Sequence, residues 1–456
     1  MGQMSTKHTI SMITLGCSKN LVDAECMSAI LREQGYEMVE DVSSAEAVVV
    51  NTCGFIESAK KEAIDTILEV ASLKGPRKKL KFIVATGCLA QRYPEEIKKS
   101  LPEVDAVLGT SHYQDIAAVL DKLFGKEAFG WNDYIGKPGS LKHMRRDREI
   151  ATKPYAWLKI AEGCSNGCAF CAIPGIRGKY TSRSMEDILE EAEILVKNGY
   201  KEIILAAQDT TSYGKDLYGK KCLAELLHKM GKIKKLQSLR IMYAYIDGIE
   251  DELIEEMKNN PKVLHYLDIP VQHGDDVILK KMRRRDTVSS ITRTLNKLRS
   301  AMPDIVIRST IMVGFPGEKA ENFENLLKNL KIWRFQCLGC FIYSPEENTR
   351  GYDMHPRVRK DVAQRRYEKV MALQQEISLS YNQARIGEIV DVTIDSPSED
   401  GIFYMGRSYR EAPEVDPVIF VASTTRPLEA GDQVKVKIME CTPYELTGVT
   451  VDESAE

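Results

Sequence analysis

Three cysteines, Cys164, Cys168 and Cys171, stand in the spacing CxxxCxxC within Cys164-Ser165-Asn166-Gly167-Cys168-Ala169-Phe170-Cys171. Thiolates this close together can wrap one cubane [4Fe–4S] cluster. Such clusters ordinarily take four thiolates, so three leave one iron open to a ligand from outside the protein. A structural zinc site would need a closed set of four donors, and no nearby His or Cys completes it, because His143 lies upstream across a polar stretch. Gly163 and Gly167 supply the backbone freedom that a loop wrapped tightly around a cluster requires.

The chain has eleven cysteines, and its N-terminus shows no secretory signal, which argues for metal or redox chemistry over a disulfide framework. A second set of three sits beside glycines, in Thr14-Leu15-Gly16-Cys17, Asn51-Thr52-Cys53-Gly54 and Thr86-Gly87-Cys88. The remaining five, Cys26, Cys222, Cys337, Cys340 and Cys441, fall in helical or strand-like patterns and read as small buried residues.

The elements that must position these residues follow from the hydrophobic pattern. Residues 9–15, 45–50, 81–85 and 106–108 read as strands, and 20–34, 55–73 and a segment entered through Tyr93-Pro94-Glu95 as helices. This alternation implies a doubly wound parallel sheet over residues 1–125. Cys17, Cys53 and Cys88 each follow a strand, so all three should converge on the sheet edge where such folds bind ligands. A polar linker is expected over 126–153. Six further strands (156–161, 202–207, 239–244, 265–269, 305–313, 337–343) alternate with helices over 154–356, as in an open (β/α)6 partial barrel. The CxxxCxxC run then follows the first barrel strand, at the end where barrel enzymes do their chemistry. A long charged connecting helix is expected over 357–385, and a small antiparallel β-barrel over 386–456.

With 43% hydrophobic and 28% charged residues and no apolar run of eighteen, the composition is that of a globular, cytoplasmic protein with no membrane contact. Met1-Gly2-Gln3-Met4-Ser5-Thr6 formally fits an N-myristoylation pattern, but no polybasic second anchor follows, so no lipid anchor is expected.

Ala161-Glu162-Gly163-Cys164 through Phe170-Cys171-Ala172-Ile173-Pro174, and on to Ile176-Arg177-Gly178-Lys179-Tyr180-Thr181-Ser182-Arg183, resembles the signature of the radical S-adenosylmethionine (SAM) methylthiotransferases. The resemblance covers nearly the whole chain. Gly16-Cys17-Ser18-Lys19-Asn20-Leu21-Val22-Asp23-Ala24-Glu25 is close to the form seen in the branch that modifies a ribosomal protein. Ala207-Gln208-Asp209-Thr210-Thr211-Ser212-Tyr213-Gly214, Asp268-Ile269-Pro270-Val271-Gln272-His273 and Val313-Gly314-Phe315-Pro316-Gly317-Glu318 resemble its barrel-rim motifs, and the C-terminal barrel is TRAM-like. Lys319 stands where the family pattern has Thr.

The resemblance implies two [4Fe–4S] clusters. One on Cys164, Cys168 and Cys171 binds SAM, whose reductive cleavage gives a 5′-deoxyadenosyl radical. The other, on Cys17, Cys53 and Cys88, carries or relays the inserted sulfur. A low-potential electron donor such as flavodoxin or ferredoxin is implied as well. Gln208, Asp209, Gln272 and His273 lie at strand ends, where they either contact SAM or substrate or tie off the strands by hydrogen bonding. Arg308 could face the SAM carboxylate, and Gly314 could let the backbone approach the adenosine. The basic run Met282-Arg283-Arg284-Arg285-Asp286 reads either as a solvated face or as a contact to RNA beside the substrate.

Two substrates are open to this family: an adenosine in transfer RNA, or the β-carbon of an aspartate in the twelfth protein of the ribosomal small subunit. From Ile386 onward there are fifteen Asp and Glu against five Lys and Arg, a net of −10, while the whole chain is −3. A domain gripping a phosphate backbone should be basic, so the acidic end favours a basic ribosomal protein. A two-cluster electron carrier or redox sensor that turns nothing over would need no six-unit barrel.

Overall fold

A computed structural model describes residues 8–148, 150, 154–423 and 426–451. The acylation-like pattern at residues 1–6, the end of the expected linker at 151–153 and the last residues of the expected C-terminal unit, 452–456, lie outside the described residues.

Short Val- and Ile-rich runs alternate with longer amphipathic segments in the first part of the chain, and each run becomes a strand. Strands β1 (Thr9–Thr14), β2 (Glu37–Met38), β3 (Ala47–Thr52), β4 (Phe82–Gly87) and β5 (Ala106–Leu108) form one parallel sheet in the order β2-β1-β3-β4-β5. Helices α1 (Ser18–Glu33), α2 (Glu57–Ser72), α3 (Cys88–Arg92), α4 (Pro94–Ser100) and α5 (Ile116–Gly125) cover its two faces. Every residue of β3 is buried, as expected for a central strand covered on both sides. The strand order reverses between β1 and β3, the station at which doubly wound sheets open a binding crevice.

The second unit is a six-stranded parallel sheet of β6 (Tyr155–Lys159), β9 (Glu202–Ala206), β10 (Ser238–Ile241), β11 (Val263–Asp268), β12 (Val306–Val313) and β13 (Cys337–Ile342), with the small ribbon β7 (Ala161–Glu162) and β8 (Thr181–Ser182) at its rim. Each strand pairs with its successor, and β6 and β13 do not pair with each other. The sheet therefore curls as a barrel left open on one side. Helices α6 (Ile173–Arg177), α7 (Met185–Lys197), α8 (Leu223–Gly231), α9 (Asp251–Asn259), α10 (Asp276–Lys281), α11 (Val288–Ala301) and α12 (Ala320–Trp333) make the crossovers. Side chains start them where the sequence offers a cap: Ser184 accepts from Asp187 N, Asp275 from Val277 N and Ile278 N, and Thr287 forms a capping box with Ser290.

Helix α13 (Lys360–Gln383) then leads to a closed barrel of β14 (Ile389–Pro397), β15 (Tyr404–Arg407), β16 (Ile419–Ala422), β17 (Gln433–Cys441) and β18 (Leu446–Thr450). One expectation needs correction here: the barrel is not wholly antiparallel, because β16 and β18 run parallel. Between them the chain crosses to β17, so β18 returns antiparallel to β17 and closes the barrel in the direction of β16.

The stretch joining the first two units is threaded between them. His143 is fully buried against Asp23, and Arg148 is buried among Glu25, Glu191 and the carbonyl of Trp157. Its polar composition reflects buried ion pairing as well as solvation. Val22 and Cys26 of α1 pack with Trp157, Ile204, Met242 and Tyr266 inside the open barrel, where Ala412 of the C-terminal unit joins them. The three units thus share one apolar contact, to which α1, the helix that Cys17 caps, contributes Val22 and Cys26.

Candidate functional site

Cys17 is the N-cap of α1, Cys53 follows β3, and Cys88 opens α3 directly after β4. Glycine is required beside them. Gly16 has φ +94°, and a Cβ there would stand 2.8 Å from Cys53 Cβ; Gly87 has φ +92°, and a Cβ there would meet Thr52 O at 2.5 Å. Asn20 ties the loops together, donating from Nδ2 to Leu15 O (2.9 Å) and Thr52 O (3.1 Å), while its Oδ1 lies 3.7 Å from Cys88 Sγ. The structure therefore brings Cys17, Cys53 and Cys88 together. Burial pushes the Cys53 thiol up to about 12, reinforced by Cys88, and raises Cys88 as well. Around Cys17 desolvation works in the same direction, but the charges of Lys19 and Arg177 outweigh it and lower that thiol.

The second triad lies in the loop between β7 and α6. Cys164 N donates to Gly178 O (3.1 Å) and Ala169 N to Met282 O (2.9 Å), and Gly163 and Gly167 both have positive φ. Burial pushes Cys164 up to about 11 and also raises Cys171, with Cys168 adding to the second shift. All six thiols are free of disulfides.

Among the described residues, no three His, Cys, Asp or Glu side chains close on a single metal ion. A cubane distributes its thiolates over separate irons, so an open triad suits it better than a lone ion. The donor set fits such a group: three clustered, unpaired thiols at each station, held in glycine-shaped loops, whose ionised form a metal would favour.

The two stations are joined by a buried ionic lattice that the sequence did not reveal. Asp23, from α1, accepts from Lys159 Nζ (2.6 Å), Arg177 Nη1 (2.5 Å) and His143 Nε2 (2.8 Å). Glu162 pairs with Lys159 and with Arg177 Nη1 (3.2 Å), and Arg177 Nη2 donates to Asn20 Oδ1. The four charged side chains of Asp23, Lys159, Glu162 and Arg177 are at most 3% exposed. Desolvation would raise Asp23, but Lys159 and then Arg177 hold its carboxyl well below the ordinary range. A single residue, Arg177, thus reaches from the helix after the second triad to the asparagine that organises the first.

Of the other expected site residues, Gln208 donates to Glu162 Oε1 (2.9 Å) at the edge of this lattice. Asp209 accepts from Asn166 Nδ2 (2.8 Å) inside the CxxxCxxC loop and also caps the turn at Thr211 and Ser212. Gln272 takes φ +70° and bridges to β12 through Thr310 O and Met312 N, with its side chain partly exposed.

Three residues are placed otherwise than the sequence suggested. His273 is completely buried, and neither ring nitrogen has a hydrogen-bond partner. Arg308 is engaged by Asp416 Oδ1 (2.9 Å) and Val415 O (3.1 Å) of the C-terminal unit, and it lines a cavity of about 330 Å³ shared with Cys337 and Tyr381. The room beside Gly314 is filled by Ala363 of α13, 2.8 Å from where a Cβ would stand, so this glycine admits a helix.

The basic run divides. Arg283 and Arg285 are exposed, but Arg284 is buried, stacked 4.2 Å over the Tyr245 ring and bonded to Pro270 O (3.0 Å) and Asp286 (2.9 Å) beside Cys168. Lys19, also unrecognised in the sequence, places its ammonium 3.3 Å from the centre of the Tyr243 ring. Beyond β13, buried Glu346 accepts from Lys60 Nζ (3.2 Å) and Arg92 Nη1 (2.9 Å), latching the core onto the first unit next to Gly54.

Family models match in three places: residues 9–109 match "Uncharacterized protein family UPF0004", 158–330 the Radical SAM superfamily and 386–451 the TRAM domain. Among solved structures, the radical S-adenosylmethionine methyltransferase TsrM from Kitasatospora setae, bound to tryptophan and a SAM analogue, is similar with a TM-score of 0.58 at 11% identity. That match covers 74% of this chain and 75% of that one. The cobalamin-dependent radical enzyme OxsB gives 0.51 at 14%, over 80% and 56%. These are likenesses of fold.

Sequence relatives are nearer. The ribosomal protein uS12 methylthiotransferase RimO of Acetivibrio thermocellus is 45% identical over 99% of this chain and all of that protein. RimO of Thermoanaerobacter sp. is 48% identical over 96% and 99%, and RimO of Clostridioides difficile 43% over 98% and 99%. With both cysteine stations present on the three-unit scaffold and such identity over nearly its full length, this chain belongs to the RimO family of radical SAM methylthiotransferases.

Proposed function

We propose that this protein is a methylthiotransferase that adds a methylthio group to the β-carbon of an aspartate in ribosomal protein uS12. The observation that carries the reading is the convergence of two cysteine triads on one buried lattice in a full-length relative of RimO proteins. Cys164, Cys168 and Cys171 would hold a [4Fe–4S] cluster whose open iron takes SAM, and Cys17, Cys53 and Cys88 a second such cluster. Together these groups supply reductive cleavage of the sulfonium and a sulfur to be donated. The triads belong to the units 1–125 and 154–356, joined by 126–153, with 357–385 leading to the TRAM-like unit 386–456.

The chain's own residues orient this chemistry. Asp209 fixes Asn166, and with it the loop bearing Cys164 and Cys168. Gln208, held by Glu162 at the end of β9, and Gln272, on the bridge to β12, would contact SAM or substrate. Arg177, Asp23 and Lys159 keep the first triad in register with the second, so a substrate atom can be shared between them. A low-potential donor of the flavodoxin or ferredoxin type would reduce the SAM-binding cluster. No helix among the described residues is long and apolar enough to cross a membrane.

The acidic C-terminal unit supports a basic protein substrate, though through fewer residues than its net charge suggests. Glu411 and Asp416 are spent on Arg385 and Arg308, and Glu414 accepts from Tyr155. Asp391, Glu399, Asp400, Glu429, Glu440 and Glu445 remain exposed.

The test is incubation of reconstituted enzyme with SAM, a reductant and either uS12 or transfer RNA, followed by mass spectrometry of both. One methylthio group on a single uS12 aspartate is expected. Modification of an adenosine instead would overturn the substrate, and absence of 5′-deoxyadenosine would overturn the chemistry.

A further inference from the structure

An aspartate methylthiotransferase must bring a side chain ending in a carboxylate within reach of both triads, and the role assigned to Lys19 below rests on that proposed function. The other basic side chains of the lattice, of the CxxxCxxC station and of β12 are paired with acids. Lys159 and Arg177 are matched by Asp23 and Glu162, Arg284 by Asp286, and Arg308 by Asp416. Lys19 differs: among the described residues, no carboxylate lies within ion-pair distance of it, and its ammonium rests on an aromatic face.

Lys19 is only 7% exposed. Asp268, which feels its charge, gives Oδ2 to Tyr243 N (3.3 Å) and faces Arg308 at 3.8 Å. No carboxylate neutralises this buried ammonium: its neighbours are the Cys17 thiol, whose ionised form it favours, and the Tyr243 ring beneath it, so its charge is still free to take an acid. The first turn of α1, where Lys19 sits, adds the positive end of a 16-residue helix to the same spot.

Its position is as specific as its charge. Tyr243 and Tyr245 follow β10 two residues apart. The Tyr243 hydroxyl lies 3.4 Å from Ser18 Oγ, beside Cys17, while Tyr245 packs under Arg284 and feels Cys168, Cys164 and Cys171. This short segment spans the two stations, and Lys19 lies on it. An anion drawn to the ammonium would sit between them.

We propose that Lys19 is the receptor for the carboxylate of the substrate aspartate, holding the adjacent β-carbon at the gap between the two triads. Lys19 then decides for aspartate over its neutral amide, and it explains why a cation at this place carries no acid of its own.

The experiment uses the reconstituted holoenzyme and fluorescent uS12 peptides with Asp or Asn at the modified position, and reads binding by anisotropy and kcat/KM by mass spectrometry. Wild-type enzyme should bind the Asp peptide at least about thirtyfold more tightly than the Asn peptide, as for a desolvated charge pair. Lys19→Met should bind the two alike, by losing affinity for Asp and not for Asn, and Lys19→Arg should restore part of the preference. Should Lys19→Met fail to take up iron, the arginine variant alone decides, since its displaced charge should lower the preference without abolishing it. An undiminished preference for Asp in these variants, or an equal loss for both peptides, overturns the proposal and leaves Lys19 serving Cys17 or the fold. Failure of the proposed function looks different: wild-type enzyme would then leave the Asp peptide unmodified.

Discussion

Replacing Asp23 by Leu should undock the N-terminal unit from the core. Asp23 and Glu162 now balance Lys159 and Arg177, and all four side chains are at most 3% exposed. Removing one acid leaves the pocket with a net charge of +1 and strips Lys159 Nζ and His143 Nε2 of a close partner. Breaking a buried ion pair by deleting one member is worth about 3–5 kcal/mol. At 1.36 kcal/mol per decade this is an increase of about two hundred- to five thousand-fold in opening of the contact. The assay is amide hydrogen exchange on α1 and α6, which meet through this lattice and Asn20, at fixed pH and with wild-type enzyme in parallel. The double variant Asp23→Leu with Lys159→Met restores neutrality and should recover much of the protection, a strongly non-additive result. Unchanged protection on α6 in the single variant, or a double variant as open as the sum of the two singles, would refute the view that the lattice holds the units together. Because the Asp23 carboxyl is depressed, its contribution is present above the unfolded carboxylate range near pH 4 and is lost only well below it. Mild acid should therefore leave docking intact.

Three further outcomes are expected. Replacing Cys164, Cys168 and Cys171 by Ala should halve an iron content of about eight per chain and abolish 5′-deoxyadenosine formation, whereas the same change at Cys17, Cys53 and Cys88 should halve iron yet leave SAM cleavage largely in place. Iron analysis and chromatography read both, and cleavage surviving in the first variant would remove the radical assignment. His273, lowered to about 3 by burial, stays neutral in the fold while the unfolded chain protonates near 6.5, so stability should fall by about 1.4 kcal/mol per pH unit from 6.5 toward 3. Urea titrations at pH 7 and pH 5 should show this loss in wild-type protein and not in His273→Leu; an equal loss in both would place the acid sensitivity elsewhere. Reversing the exposed pair Glu399 and Asp400 to Lys should raise KM for uS12 with little change in kcat, and the difference should fade at high salt because exposed charges are screened within about 8 Å. A KM that does not move would dismiss these acids as part of the docking face.

Much of this architecture was legible in the sequence. Period-two and period-3.6 patterns carry strand and helix order directly, and a cysteine placed just after a strand inherits the strand's address; hence both triads fell where expected. What escaped has a common cause. The lattice joins Asp23, Lys159, Glu162 and Arg177 across up to 154 residues of sequence, and nothing local distinguishes a lysine that pairs in the dark from one that points into water. Arg284 hid between two exposed arginines for the same reason. Net charge misled at Glu411 and Asp416, since a sum over residues is blind to pairing. The parallel pair β16 and β18 escaped because strand direction within a small barrel is set by closure and not by pattern. Gly314 was recognised as a point of close approach, but a glycine does not say what approaches it.

The span between Asp23 and Arg177 also sets an order of events during synthesis. At about 5–20 residues per second, about eight to thirty seconds separate the emergence of these two residues from the ribosome. Through that interval the first sheet can form, but Asp23 has at most one of its two basic partners and must keep much of its water, so α1 cannot yet seat its inner face. The latch at Glu346 arrives later still, after the last barrel strand. The N-terminal cysteines therefore stand in a half-walled bay at first, and it closes only when the core has been made. Completion of the walls around the first triad is in this way timed by translation of the second.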